Sequence, residues 1–203
     1  AQEPRPLVDV SPLPSREPPP ASVVSADAVR GLAGLEIGMS ARALVERLGE
    51  PERTASQEEE REEWEAAGYS TARSIIFANG FDRVLVFAPG QVPLFKAFVS
   101  GDSVVALKFV LYGAEAFLAE KPVGFGSCVL GAPASTAIKA FGEPEISQHE
   151  QAMSSLDKLH YFDRGLTITA EKGKIVVFDV YAPPDAATKR TVLDLLGNPR
   201  RTI

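Results

Sequence analysis

The chain has 203 residues, 45% hydrophobic and 24% charged, a balance that lets one or two domains bury a core. Its net charge of −6 and its 21 scattered basic residues leave no basic stripe to neutralise a phosphate backbone, so nucleic acid is excluded as an expected partner. The longest apolar runs, such as Val104 to Val110 around Lys108, fall far short of the roughly 20 residues of a transmembrane helix, and a single cysteine, Cys128, excludes an intramolecular disulfide.

Ala1 followed by Gln-Glu-Pro-Arg-Pro reads as a mature start left by signal-peptide cleavage. The expected address is therefore exported: periplasmic, outer-membrane-associated or extracellular in a bacterium, with room for a lipid anchor upstream of Ala1. Prolines at positions 4, 6, 12, 14, 18, 19 and 20 forbid a helix or a central strand. Residues 1–30 are read as a disordered Pro-rich leader, either a spacer or an inert tail.

Next comes an internal echo. Leu35-Glu-Ile-Gly-Met-Ser-Ala-Arg-Ala-Leu-Val-Glu-Arg-Leu-Gly-Glu-Pro51 aligns without a gap with Cys128-Val-Leu-Gly-Ala-Pro-Ala-Ser-Thr-Ala-Ile-Lys-Ala-Phe-Gly-Glu-Pro144, 93 residues on. Each copy predicts a helix that starts at Ser40 or Pro133, carries apolar residues at helical spacing and stops at Gly49 or Gly142. A glycine there is expected to take a left-handed conformation, and Pro51 or Pro144 prevents resumption.

After the first helix, Gln57 to Ala67 is strongly helix-favouring with almost no apolar face. It is read as a solvated helix in preference to an acidic docking surface, with Trp64 as the one side chain able to anchor it. Strands are then predicted at Thr71 to Ala78, Asp82 to Ala88, Pro93 to Val99 and Ser103 to Tyr112, separated by Asn79-Gly80, Pro89-Gly90 and Gly101-Asp102. The second copy gives Lys158 to Asp163, Leu166 to Glu171 and Lys174 to Tyr181, and a C-terminal helix from about Pro184 to Leu196. The predicted class is α+β: two tandem helix-plus-antiparallel-sheet units, 31–113 and 124–203, joined near Gly113 to Gly124.

Strict alternation places Val105, Leu107, Phe109 and Leu111 under helices, and Val104, Ala106, Lys108, Val110 and Tyr112 on the opposite face. That second face, bearing Lys96, Phe98, Lys108, Tyr112, Tyr161, Thr167, Thr169 and Tyr181, mixes amphipathic rings with polar groups as binding surfaces do. These eight residues are the expected contact set for a protein partner, on a sheet face left open to solvent.

Leu35-Glu-Ile-Gly-Met-Ser40 with Leu44-Val45, Leu48-Gly49 and Pro51 resembles the opening of the BamE/SmpA lipoprotein family. Tyr161-Phe-Asp-Arg-Gly-Leu-Thr-Ile168 and Gly173-Lys-Ile-Val176 look like that family's aromatic strand and Gly-Lys turn. Two such units in tandem also resemble the fold of the β-lactamase inhibitor protein. The resemblance, over about Leu32 to Tyr181, implies an exported module that works by protein contact, as an assembly factor or inhibitor, without catalytic residues, metal or cofactor. The acidic insertion and the absence of tryptophan near His160-Tyr161 depart from the pattern.

The rival chemistry is a thiol-dependent hydrolase with Cys128 as nucleophile and His149 or His160 as base. Against it, Cys128 stands where Leu35 stands in the other copy, the place of a small buried hydrophobe. The two histidines offer no metal-site spacing. A purely structural spacer is the third reading.

Overall fold

The computed structural model describes residues 28–87, 95–111, 123–151 and 155–197, in a mixed α+β arrangement. The leader up to residue 27, most of the predicted joint between the units, and Tyr112 lie outside the described residues. A short hairpin, β1 (Gly31–Leu32) with β2 (Leu35–Glu36), leads into α1 (Ala41–Leu48). There follow β3 (Arg53–Ser56), α2 (Gln57–Ala66), a 3-10 turn at Thr71–Arg73, α3 (Ile75–Asn79), β4 (Arg83–Phe87), β5 (Phe95–Ser100) and β6 (Ser103–Val110). A second hairpin, β7 (Gly124–Phe125) with β8 (Cys128–Val129), leads into α4 (Ser135–Phe141), then β9 (Ile146–Gln151), β10 (Ser155–Tyr161), β11 (Leu166–Glu171), β12 (Lys174–Tyr181) and α5 (Ala186–Leu196).

The long strands form one antiparallel eight-stranded sheet in the order β3-β4-β5-β6-β12-β11-β10-β9. β6 and β12 pair at its centre, Lys108 opposite Asp179 and Phe109 opposite Phe178. β3 and β9, which alternation did not predict, are the polar outer strands. Arg-Thr-Ala-Ser and Ile-Ser-Gln-His-Glu-Gln carry too little apolar period to announce themselves.

The helix signals hold where local chemistry sets them. Ser40 caps α1 by accepting a hydrogen bond from Ala43 N at 3.1 Å. Gly49 (φ 85°, ψ −178°) and Gly142 (φ 81°, ψ −167°) end the helices, each N–H donating to the carbonyl four residues back. The expected left-handed conformation is present in φ, which is positive at both, while ψ is extended, a region that is essentially glycine's alone. A Cβ at either site meets no atom within 4 Å, so backbone strain is the whole penalty of a side chain. Gly49→Val and Gly142→Val are each expected to destabilise by about 1–3 kcal/mol in urea unfolding.

One sheet face lies under α1, α4 and the two hairpins. Leu35, Leu44, Ala137 and Phe141 pack there on Phe95, Leu107, Phe109, Ile168, Phe178 and Val180. Two β-bulges decide which strand residues join them. Phe98 pairs with Ala106 and Val99 with Val104, leaving Val105 as the extra residue; Thr169 pairs with Val177 and Ala170 with Ile175, leaving Val176 extra. Each bulge reverses the alternation before it. Val104, not Val105, joins Leu107 and Phe109, while Val105 packs at the margin of the opposite cluster.

That opposite face is not open. Ile75, Ile76 and Phe81 from the first half, and Val192 from α5, cover Val84, Val86, Phe98, Ala106, Ile146 and Tyr181. The predicted strand over 71–78 is corrected to a turn and a short helix. Its Ile-Ile-Phe run is β-favouring by composition, but tertiary packing buries Ile75 and Ile76 on the sheet instead.

Candidate functional site

Buried strand positions are ordinarily apolar, so charges in mid-strand need partners. Lys96, Lys108 and Asp179 are such charges, and the register lines them up. Val86, Lys96, Lys108, Asp179, Thr167, His160 and Ile146 are successive cross-strand partners from β4 to β9, a single transverse row with a polar centre.

Helix α2 roofs the left part of this row. Glu60 is fully buried and accepts from Lys96 Nζ at 2.7 and 2.8 Å through its two carboxylate oxygens. Trp64 Nε1 donates to Glu60 Oε1 at 2.8 Å, and Lys108 Nζ lies 4.6 Å from the centre of the Trp64 ring. A Ser56–Glu59 capping box starts the helix. Edge-to-face rings then run from Trp64 through Phe77 and Phe81 to Phe98 on the sheet, at 5.1, 5.1 and 5.0 Å between centres. Residues 57–66 are therefore a helix, one residue short of the expected range, but a docked one. Glu58, Glu59, Glu62 and Glu65 remain on its exposed side.

The right part of the row opens into a cleft of about 40 Å³ between the 64–76 segment and the second half-sheet. Trp64, Tyr69, Arg73, Lys158, His160, Thr167, Asp179 and Tyr181 are among its walls. His160 Nδ1 lies 3.1 Å from Thr167 Oγ1, which lies 2.8 Å from the Tyr181 hydroxyl. Burial, assisted by the neighbouring Lys158 charge, pushes the His160 pKa down to about 3, and burial pushes that of Tyr181 up. Two buried atoms on this wall, His160 Nε2 and Asp179 Oδ1, have no hydrogen-bond partner among the described residues. Asp179 Oδ1 keeps only a long ion pair of 3.4 Å with Lys108.

The eight expected contact residues divide accordingly. Lys96, Lys108 and Thr167 belong to the polar row, and Thr169 and Tyr181 flank it on the same face. All but Lys108, itself largely covered, are buried; Phe98 and Tyr181 have no exposed surface. Tyr161 points to the other face, beside Phe141, and donates to Gly142 O at 3.1 Å. Tyr112 lies outside the described residues. An open face carrying this set is thus corrected: the segment from α2 to α3 and α5 cover it. The expected contact set left out Glu60, Tyr69, Arg73, Asp179 and His160. The available signal was the need of two lysines in mid-strand for nearby acid.

The thiol reading meets a geometric obstacle. Cys128 sits in the core under α4, where burial pushes its pKa up to about 11, while His160 faces the opposite side of the sheet and His149 Nδ1 engages Asp157 at 2.7 Å. Alkylation of native protein at pH 8 is expected to run at least roughly a hundredfold slower than on a free cysteine, because the thiolate is scarce and enclosed. Complete labelling should follow unfolding. Among the described residues no three His, Cys, Asp or Glu side chains converge as a metal-binding set, and no helix is long and apolar enough to cross a membrane.

No family model, curated protein or solved structure matches this chain. The expected BamE/SmpA resemblance therefore has no support beyond the motifs quoted above.

Proposed function

We propose that this chain is a non-catalytic binding module of the bacterial envelope or secreted space, built from two copies of one hairpin, helix and four-strand unit. The partner is another protein, and contact runs through the cleft under the 57–80 insertion, not through an open sheet face. Support for two copies comes from hydrogen bonds that recur at matched positions. Gly38 N to Val104 O parallels Gly131 N to Ile175 O, and Ala41 N to Asp102 O parallels Ala134 N to Gly173 O. The bulges at Val105 and Val176 match in the same way. What the first copy adds is the α2–α3 insertion between β3 and β4.

The observation that carries the binding reading is the cleft itself. It places two buried polar atoms, His160 Nε2 without a hydrogen-bond partner among the described residues and Asp179 Oδ1 with only its 3.4 Å ion pair to Lys108, beside aromatic walls and a rim of Tyr69, Ser70 and Arg73. Clefts with a few convergent polar groups among apolar rings are the ordinary form of a recognition site.

The rim is where function and stability separate. Tyr69 is partly exposed and Arg73 exposed, so Tyr69→Ala with Arg73→Ala should cost less than about 1.5 kcal/mol of stability. Cross-linked capture from envelope extracts, compared with the parent protein, is expected to fall roughly tenfold, equivalent to about 1.4 kcal/mol. Equal capture by the folded double variant contradicts the cleft as the contact site.

A further inference from the structure

We infer that the cleft takes a primary carboxamide, the side-chain group of asparagine or glutamine, between the imidazole of His160 and the carboxylate of Asp179. Assigning that group to a partner protein's side chain rests on the binding reading above; the chemistry of the pocket does not.

Proton counting along the His160–Thr167–Tyr181 chain fixes what the wall offers. The imidazole is neutral and carries one N–H. If that hydrogen sits on Nδ1, it donates to Thr167 Oγ1, and the threonine hydroxyl donates to Tyr181. The phenol hydrogen and the Nε2 lone pair are then both buried without partners. If it sits on Nε2, Tyr181 donates to Thr167, Thr167 donates to Nδ1, and the Nε2–H alone remains. Each unsatisfied buried group costs about 1–3 kcal/mol, so the second tautomer prevails. The cleft wall therefore holds a buried donor at His160 Nε2 and, at Asp179 Oδ1, a buried acceptor engaged only by Lys108 at 3.4 Å.

Ligand groups are sorted by that pair. A carboxylate has no donor for Asp179; an ammonium has no acceptor for the imidazole. A primary carboxamide has an acceptor and a donor on one flat group, and the Trp64 and Tyr69 rings line the space it enters. Size agrees. At about 10–15 Å³ per water-sized occupant, a 40 Å³ space admits about three heavy atoms.

The test is an NMR titration of the full chain, following the Trp64 indole N–H and the His160 ring. The probes are N-acetylglutamine methylamide, its glutamate and methionine counterparts with the same backbone, and free glutamine. Saturable shifts with the glutamine probe, roughly tenfold or more weaker with the other two blocked probes, are expected. His160→Phe should abolish them. Should that variant not fold, Thr167→Val, which keeps the imidazole but releases its tautomer, should weaken them. Free glutamine binding while the blocked probe does not would support the carboxamide pocket and overturn the partner side chain as its source. Absent shifts, equal shifts with the methionine probe, or His160 in the Nδ1–H form would overturn the pocket, leaving the rim-variant capture result to judge the binding reading separately.

Discussion

Lys96→Met is expected to lower the unfolding free energy by about 3–5 kcal/mol, the cost of leaving a buried carboxylate without its counter-charge. Glu60 has no exposed surface, and Lys96 Nζ reaches both of its oxygens, with Glu63 a longer 3.4 Å away. Removing the ammonium strands that charge over a sheet it was built to seal. Adding Glu60→Gln to the same chain removes the charge, while the amide oxygen still accepts from Trp64 Nε1. The double variant should therefore regain most of the loss, to within about 1–2 kcal/mol of the parent. Urea midpoints at constant slope read both effects. A single-variant loss below about 1 kcal/mol would mean that the pair is solvated and α2 is not seated on the sheet.

The second large effect concerns acid. His160 stays neutral in the fold down to about pH 3 because it is desolvated, with Lys158 adding to the shift. An unfolded histidine titrates near 6.5, so below that pH the unfolded chain binds a proton that the folded chain refuses, and stability falls as pH drops. At about 1.4 kcal/mol per unit, the loss from pH 6.5 to pH 5 is about 2 kcal/mol. This window lies above most carboxylate titration. His160→Gln should flatten this part of the profile in urea unfolding at pH 7, 6 and 5; parallel profiles for parent and variant would refute the burial.

How far the sequence could be read follows from what sets each element. The stops at Gly49 and Gly142, the Ser40 cap, and β11 and β12 over Leu166–Glu171 and Lys174–Tyr181 are set by neighbouring residues, and alternation with turn chemistry located them, whereas α4 starts at Ser135 and not at the expected Pro133. The bulges at Val105 and Val176 were not legible, because a one-residue insertion in a β-rich run leaves no compositional mark. The roof was the largest omission. Glu60 and Lys96 meet across 36 positions, and the helix that carries Glu60 reads as solvated because it docks through one acid and one tryptophan. The same contact converts the expected binding face into a polar core. Residues such as Thr167, Tyr181 and Lys96 were rightly grouped on one face, but alternation cannot say whether a face is wet.

Binding at the cleft depends on a sheltered, uncharged, donor-bearing imidazole beneath the segment from α2 to α3. Titrating the His160 ring by nitrogen-detected NMR tests this most directly. The expected result is a neutral imidazole protonated at Nε2 from pH 7 to pH 4, with its pKa near 3. A ring that titrates near pH 6.5 in the folded chain, with the two tautomers averaged, would contradict it.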